Sequence, residues 1–372
     1  MSGGTGLPKG ESGADEARSE ACHEMLLRLA ARAPVPLVAR ARSLAARGRP
    51  GEMARAVTLA ALQQRIPLTF EDVEVLAELL EEAGADPAIL AQAEQGGDRA
   101  ALPYLFDARA GGPPDGDGGR DPDPAAVRWA AAEPGVIGLW RAWRVPADGA
   151  PWPPPRRVYV AETTAADPVA ATGSLQDALA AAGEREPSAE VYRTGRELPL
   201  YQRLARGHGE LIWAADDAPV QVAGTFGEID PETGPRYRDG HARIHDAVER
   251  DRLLAYLRSA APLMITKARL DDVVDTARRA VVPMSFRTDG HWIWTDAVAY
   301  YLAEHRLSPD PGLLAHIRNR NYAPPVPDGV RMHRALQELL EPVGTPGPSR
   351  SAREPAAHEP TGSARPETRR NP

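Results

Sequence analysis

The histidines and carboxylates between residues 239 and 249 come nearest to a catalytic constellation. His241, His245 and Glu249 stand at i, i+4 and i+8, so a helix beginning as early as Asp239 would project all three from one face as metal ligands. A transition metal held there would activate a solvent molecule as nucleophile, with Asp239 as a further carboxylate at hand. Against this, Gly240 is a poor helix residue, and Ile244 and Val248 place the buried stripe elsewhere. No glutamate directly follows His241 to act as general base. The alternative is a solvated helix face.

A second group lies in VVPMSFRTDGHWIWTDAVAYYLAEH, residues 281–305. Asp289-Gly290 between extended runs signals a hairpin, because both central positions of a type I′ turn need positive φ. In that register Thr288 faces His291, Arg287 faces Trp292, Phe286 faces Ile293 and Ser285 faces Trp294. Met284, Phe286 and Ile293 then share one face, and Ser285, Arg287, Trp292 and Trp294 the other. A guanidinium opposite an indole can stack on it, which contributes ~0.5–2 kcal/mol. Two readings follow. Either the helix capped by Thr295, carrying Val298, Tyr301 and Leu302, covers the tryptophans as core, or Arg287, Asp289, Trp292 and Trp294 form a surface for a ligand or partner, with the indoles as anchors.

The remaining motifs are thinner. DDVVD, Asp271 to Asp275, matches the acidic pattern by which prenyl-chain enzymes hold magnesium and diphosphate. Those enzymes need a large helical cavity and a second metal-binding segment, whereas this motif precedes a strand, which favours a capped, solvent-facing turn. Cys22 lies beside His23, but adjacent helix residues point apart. No serine sits in a G-x-S-x-G turn. Arg193, Tyr201, Gln202 and Arg203 could line a polar cleft, or merely edge a sheet.

The elements that must position these residues fall into two groups. Residues 1–19 are polar and Gly-rich and are expected to form a disordered tail. Residues 20–106 carry helical spacing: Met25, Leu26 and Leu29, then Leu37, Ala41 and Leu44, then Met53, Val57, Ala60 and Ala61. Thr69 with Asp72 fits a capping box opening FEDVEVLAELLEEAG, and Asp86-Pro87 starts a last short helix. Residues 107–126, centred on GGPPDGDGGRDPDP, are expected to be a flexible linker, without the Gly-Lys-Ser/Thr of a phosphate-binding loop. Every tryptophan lies beyond it, in residues 127–341, where VIGLWRAWRV, RRVYVAE, AEVYRT, GELIWAA and APLMITKA read as strands alternating with helical runs. Residues 342–372 are again a tail by composition. The fold class is therefore α+β: a small helical bundle joined to an aromatic-rich mixed domain.

Composition narrows the function classes. The formal charge of −8 over 372 residues gives no general affinity for nucleic acid. Cys22 is the only cysteine, which excludes an intramolecular disulfide and a multi-cysteine zinc site and suits a reducing compartment. The chain opens without a secretory signal and holds no apolar run of membrane-spanning length, so a cytoplasmic location and no membrane partner are expected.

TDGHWIWTDAVAYYL, with DDVVD upstream and SPDPGLLAHI downstream, resembles a segment shared by uncharacterised proteins of high-GC Gram-positive bacteria, and LPLYQRLARGHGELIWAA adds to the likeness. The resemblance spans residues 127–320 and implies a lineage but no chemistry. No complete catalytic or cofactor constellation can be assembled, so no cofactor is expected. The leading expectation is a non-catalytic interaction or regulatory protein, of an immunity-like kind, with another protein as partner. The alternatives are a metal-dependent enzyme using His241, His245 and Glu249, and a small-ligand-binding module centred on Arg287, Trp292 and Trp294.

Overall fold

The computed structural model describes residues 9–97, 102–109, 121–150, 153–230 and 234–340. The N-terminal part is helical: α1 (Lys9–Leu29), α2 (Val35–Ala46), α3 (Pro50–Gln64) and α4 (Phe70–Glu82), followed by a 3-10 turn at Pro87–Gln92. The capping box is present, with Asp72 N–H donating to Thr69 Oγ1 at 3.1 Å and Thr69 N–H donating to Asp72 Oδ2 at 3.0 Å. Asp86 caps the 3-10 turn through Ala88 N–H.

α1 corrects the expectation of a tail over residues 1–19, because the helix begins at Lys9. Residues 1–8 lie outside the described residues. The packed half, from Cys22 to Leu29, anchors the helix, and Glu, Ala and Arg favour its continuation towards the N-terminus against the cost of Gly10 and Gly13. No described side chain between Gly13 and Ala21 is buried, which is why apolar periodicity gave no sign of it.

The first sheet is built from β1 (Tyr104–Asp107), β2 (Val136–Pro146), β3 (Arg156–Thr163), β4 (Ala189–Arg193) and β5 (Glu210–Ala214), with α5 (Asp123–Ala132), α6 (Pro168–Ala181) and α7 (Leu200–His208) between them. Its order is β1-β2-β3-β4, and β5 pairs with the other end of the β2 edge that β1 occupies. β3 and β4 run parallel across α6, and the other pairings are antiparallel. β1 falls at residues read as the end of the helical segment and the start of the linker. The expected linker lies outside the described residues over 110–120.

Both faces of this sheet are covered, which explains the nearly unbroken apolar runs in β2 and β3. Leu139, Tyr159, Ala161 and Val191 face α5 and α6. Their neighbours Trp140, Val158, Val160 and Tyr192 share one core with Met25, Leu26, Met53 and Leu76 of the bundle and with Tyr201 of α7. Residues up to Leu339 belong to one compact unit, so the bundle packs onto the sheet it precedes. Composition had marked the covalent junction, not the packing.

Beyond β5 come β6 (Gln221–Val222), β7 (Glu228–Asp230), β8 (Gly234–Arg236), α8 (Ala247–Ser259), β9 (Ala261–Met264), β10 (Arg269–Leu270), β11 (Val282–Pro283), β12 (Phe286–Thr288), β13 (Trp292–Thr295), α9 (Asp296–His305), α10 (Pro311–Asn319) and α11 (Gly329–Leu340). A second sheet has the order β6-β13-β12-β9, while β7–β8 and β10–β11 are separate pairs. Trp294 packs with α8, α9 and α10 on one face of this sheet, and Ile293 with Ala335 of α11 on the other. The fold class is α+β, with an N-terminal helical region and mixed sheets. Among the described residues no helix is long and apolar enough to cross a membrane. Residues 341–372 lie outside the described residues.

Candidate functional site

The β12–β13 hairpin forms, but in a register two residues from the expected one: Phe286 pairs Thr295, Arg287 pairs Trp294 and Thr288 pairs Ile293. Asp289 causes the shift. Its Oδ1 accepts the backbone N–H of His291 at 2.9 Å and of Trp292 at 2.8 Å, so the turn widens around its side chain, with positive φ at Gly290 but not at Asp289. A slip of two preserves the faces, so Arg287 and Trp294 still share one side.

That side is largely core. Trp294 is buried and donates its indole N–H to Leu257 O at 3.2 Å, and Trp292 is half-buried against the same cluster beside Gly312 and His316. The expected stacking of Arg287 on an indole is absent. Its guanidinium donates to Asp296 Oδ1 at 2.7 Å and to Ala260 O at 3.0 Å. Thr295 occupies the N-cap of α9, but its hydroxyl bonds Thr225 instead of the helix. Asp289, 1 % exposed, also accepts from Tyr256 O–H at 2.5 Å and His316 Nε2 at 2.7 Å. Burial works against its charge, yet these donors hold its carboxyl below the usual range. Arg287, Asp289, Trp292 and Trp294 are therefore mostly an internal framework. Of the four, Arg287 reaches a small open pocket of about 230 Å³ that it shares with Arg258, Asp296 and Tyr300.

The proposed metal ligands do not converge. α8 begins at Ala247, capped by Asp246, so His241 and His245 lie on the extended segment before it, not on a helix with Glu249. Gly240, at φ +79°, and the backbone bond from Ile244 N–H to Arg306 O hold that segment open. His241 bonds Ser308 O and stacks edge-on with Tyr237, His245 is exposed, and Glu249 accepts from Arg318 at 2.8 Å and Tyr322 at 3.0 Å. Among the described residues no group of three His, Cys, Asp or Glu side chains is placed to hold a metal.

DDVVD is a turn whose carboxylates are committed. Asp271 pairs with Arg279, Asp272 is buried against His305 and Tyr300, and Asp275 accepts from Ala277 N–H. Cys22 is buried, and burial pushes its thiol up to about 11. His23 donates Nε2–H to Val191 O at 2.7 Å, and burial lowers it to about 4, so it stays neutral.

A cavity of about 530 Å³ lies elsewhere, between α1 and the segment from β4 into α7. Arg193 and Arg203, named from sequence as possible cleft residues, line it. Tyr201 and Gln202 sit behind its wall, fully buried, where Gln202 donates to Leu27 O at 2.8 Å and Glu190 Oε2 at 2.7 Å. Sequence reasoning missed Glu20, Glu24, Arg28 and Arg196. The i, i+4, i+8 spacing of Glu20, Glu24 and Arg28 was a signal that α1 presents one charged face.

The cleft mixes two kinds of wall. Leu27, Leu198, Pro199 and Leu200 supply apolar surface. Glu20 accepts hydrogen bonds from both Arg193 and Arg196, which hold its carboxyl below the usual range although burial opposes this. Arg28 is tied to the buried Asp72 at 2.8 Å. Arg203 is exposed and pairs with no carboxylate among the described residues. Such a site can recognise and desolvate a ligand. Comparison with known protein families, curated proteins and solved structures finds no match to this chain.

Proposed function

We propose that this chain is a non-catalytic binding protein of regulatory type, acting in the cytoplasm, and that the cleft between α1 and the β4–α7 segment takes its ligand. One observation carries the reading: a cavity of about 530 Å³ whose lining combines Leu27, Leu198, Pro199 and Leu200 with four arginines and three glutamates. Small-molecule sites span roughly 300–1,000 Å³ and combine apolar lining with a few fixed polar groups. The sequence-based idea of an aromatic contact surface loses its anchors, because Trp294 is internal and Asp289 is spent on the turn. A protein partner would then read the liganded state at α1, whose outer half buries no described side chain.

The test is a thermal-shift screen of metabolites against the wild type and Leu200→Trp, which fills the cleft from the first turn of α7. Compounds that raise the melting temperature of the wild type and not of the variant support the reading. A screen in which every stabilising compound acts equally on both refutes it.

A further inference from the structure

Glu20 is a carboxylate already seated in the cleft, and its manner of binding describes what else would fit. One oxygen, Oε1, accepts from Nη2 of Arg193 and from Nη2 of Arg196. Arg193 makes no other side-chain hydrogen bond among the described residues. Arg193 therefore uses one donor of a fork that suits two carboxylate oxygens, and Arg196 adds to its single hydrogen bond only a long ion pair with Glu24 at 4.0 Å. The group is also only part-buried, with side chains 23 % exposed at Glu20, 27 % at Arg193 and 51 % at Arg196. Ion pairs at such exposure contribute about 0–1 kcal/mol, so this one is displaceable. Arg28 differs, because its partner Asp72 is fully buried and capped into α4.

We infer that the ligand of the cleft is a carboxylate with an apolar body, and that it displaces Glu20 from Arg193 and Arg196. The inference rests on the cleft being the ligand site. Glu20 stays tethered to α1, so a bound carboxylate adds a single negative charge to a cleft lined by four arginines and three glutamates. A phosphate dianion would add a second beside Glu24 and Glu197, which also line the cleft. The apolar body lies along Leu27, Leu198 and Leu200. Release of Glu20 also removes the ion pairs that tie the middle of α1 to the end of β4, so occupancy is communicated to that helix.

Calorimetric titration of the full chain with decanoate, decanol and decyl phosphate tests this. Glu20→Gln removes the resident competitor and is expected to tighten decanoate by up to about fivefold, since an exposed pair no longer has to be broken. Glu24→Gln makes the same charge change on the same wall but breaks only the long 4.0 Å pair with Arg196, and it is expected to alter decanoate affinity less. Arg193→Ala with Arg196→Ala is expected to abolish decanoate binding. Equal tightening by Glu20→Gln and Glu24→Gln, no tightening by Glu20→Gln, or tighter binding of decyl phosphate than of decanoate each overturns the inference. If decanol matches decanoate and Glu20→Gln changes neither, the carboxylate is wrong while the cleft stands. If none of the three probes binds the wild type or Glu20→Gln, the carboxylate inference falls, and a metabolite screen without a cleft-dependent compound removes the cleft reading as well.

Discussion

Replacement of Glu190 by glutamine is expected to cost the protein about 3–5 kcal/mol, the usual result of leaving one member of a buried ion pair without its partner. Arg42 and Glu190 are 2 % and 1 % exposed and form a two-pronged pair, with Nη1 to Oε1 at 2.6 Å and Nη2 to Oε2 at 2.5 Å. Arg42 donates further to Ala189 O at 2.8 Å and to Leu26 O at 3.3 Å. Once the carboxylate is replaced by an amide, the guanidinium would remain buried and charged beside neutral acceptors only. Arg42→Met is expected to cost a similar amount, because Glu190 would keep only Gln202 as donor. The double variant Arg42→Met, Glu190→Leu removes both charges, so its cost is expected to fall about 2 kcal/mol or more below the sum of the singles. Urea unfolding followed by tryptophan fluorescence is the assay. Every tryptophan lies between Trp129 and Trp294, whereas Arg42 belongs to α2, so coincident fluorescence and helical circular dichroism midpoints in Arg42→Met also report that the bundle and the sheet unfold together. Single variants costing under about 1 kcal/mol, or a fluorescence midpoint that stays fixed while the helical circular dichroism signal melts earlier, would refute the reasoning.

Two further outcomes can be checked by the same unfolding assay. Trp294→Ala is expected to destabilise by about 3–5 kcal/mol, as for other buried large-to-small changes, and to leave decanoate affinity unchanged; a folded variant of near wild-type stability would mean the indole is not core. Stability is also expected to fall with acid through His23 and His333. Burial pushes both down to about 4, while the unfolded chain titrates near 6.5, so the unfolded state binds more protons between those values. The contribution is complete above about pH 6.5 and lost as the pH falls to about 4, with a slope of up to roughly 1.4 kcal/mol per unit for each histidine. Glu162, raised by its burial, opposes this over part of the range. The urea midpoint is expected to drop between about pH 7 and pH 5, and His23→Gln, whose amide can still donate to Val191 O, to flatten the drop; a midpoint independent of pH over that interval would exclude the buried neutral histidines.

What was legible in the sequence was local. The capping box of Thr69 and Asp72 closes within four residues, and the strands β2 to β5 and β9 announced themselves by composition. The faces of β12 and β13 were also legible, since alternation survives a slip of two. The register itself was not, because a carboxylate that can wrap its own turn competes with the backbone preference of Asp-Gly. The metal reading failed for the same reason. It assumed a helix from Asp239, and spacing alone could not show that Asp246 would cap the helix seven residues later.

The candidate site was illegible for a different reason, which bears on how it works. Arg193 reaches Glu20 across 173 residues, and Gln202 reaches Leu27 across 175. No periodicity reports such pairs, since each residue on its own reads as an ordinary surface charge or sheet edge. Their assembly depends on the bundle docking on the sheet, which rests on the apolar core the two share and on a buried pair, Arg42 with Glu190, itself 148 residues apart. Glu190 lies on β4, three residues before Arg193, and Gln202 joins it from α7 beside Arg203. The interior of β4 therefore anchors the bundle while its end faces the cleft, so the wall is held by groups that a ligand does not touch. Glu20 and its two arginines, by contrast, stand part-exposed. Under the proposed exchange, a buried frame with part-exposed ion pairs at its opening would concentrate the response to a ligand at α1.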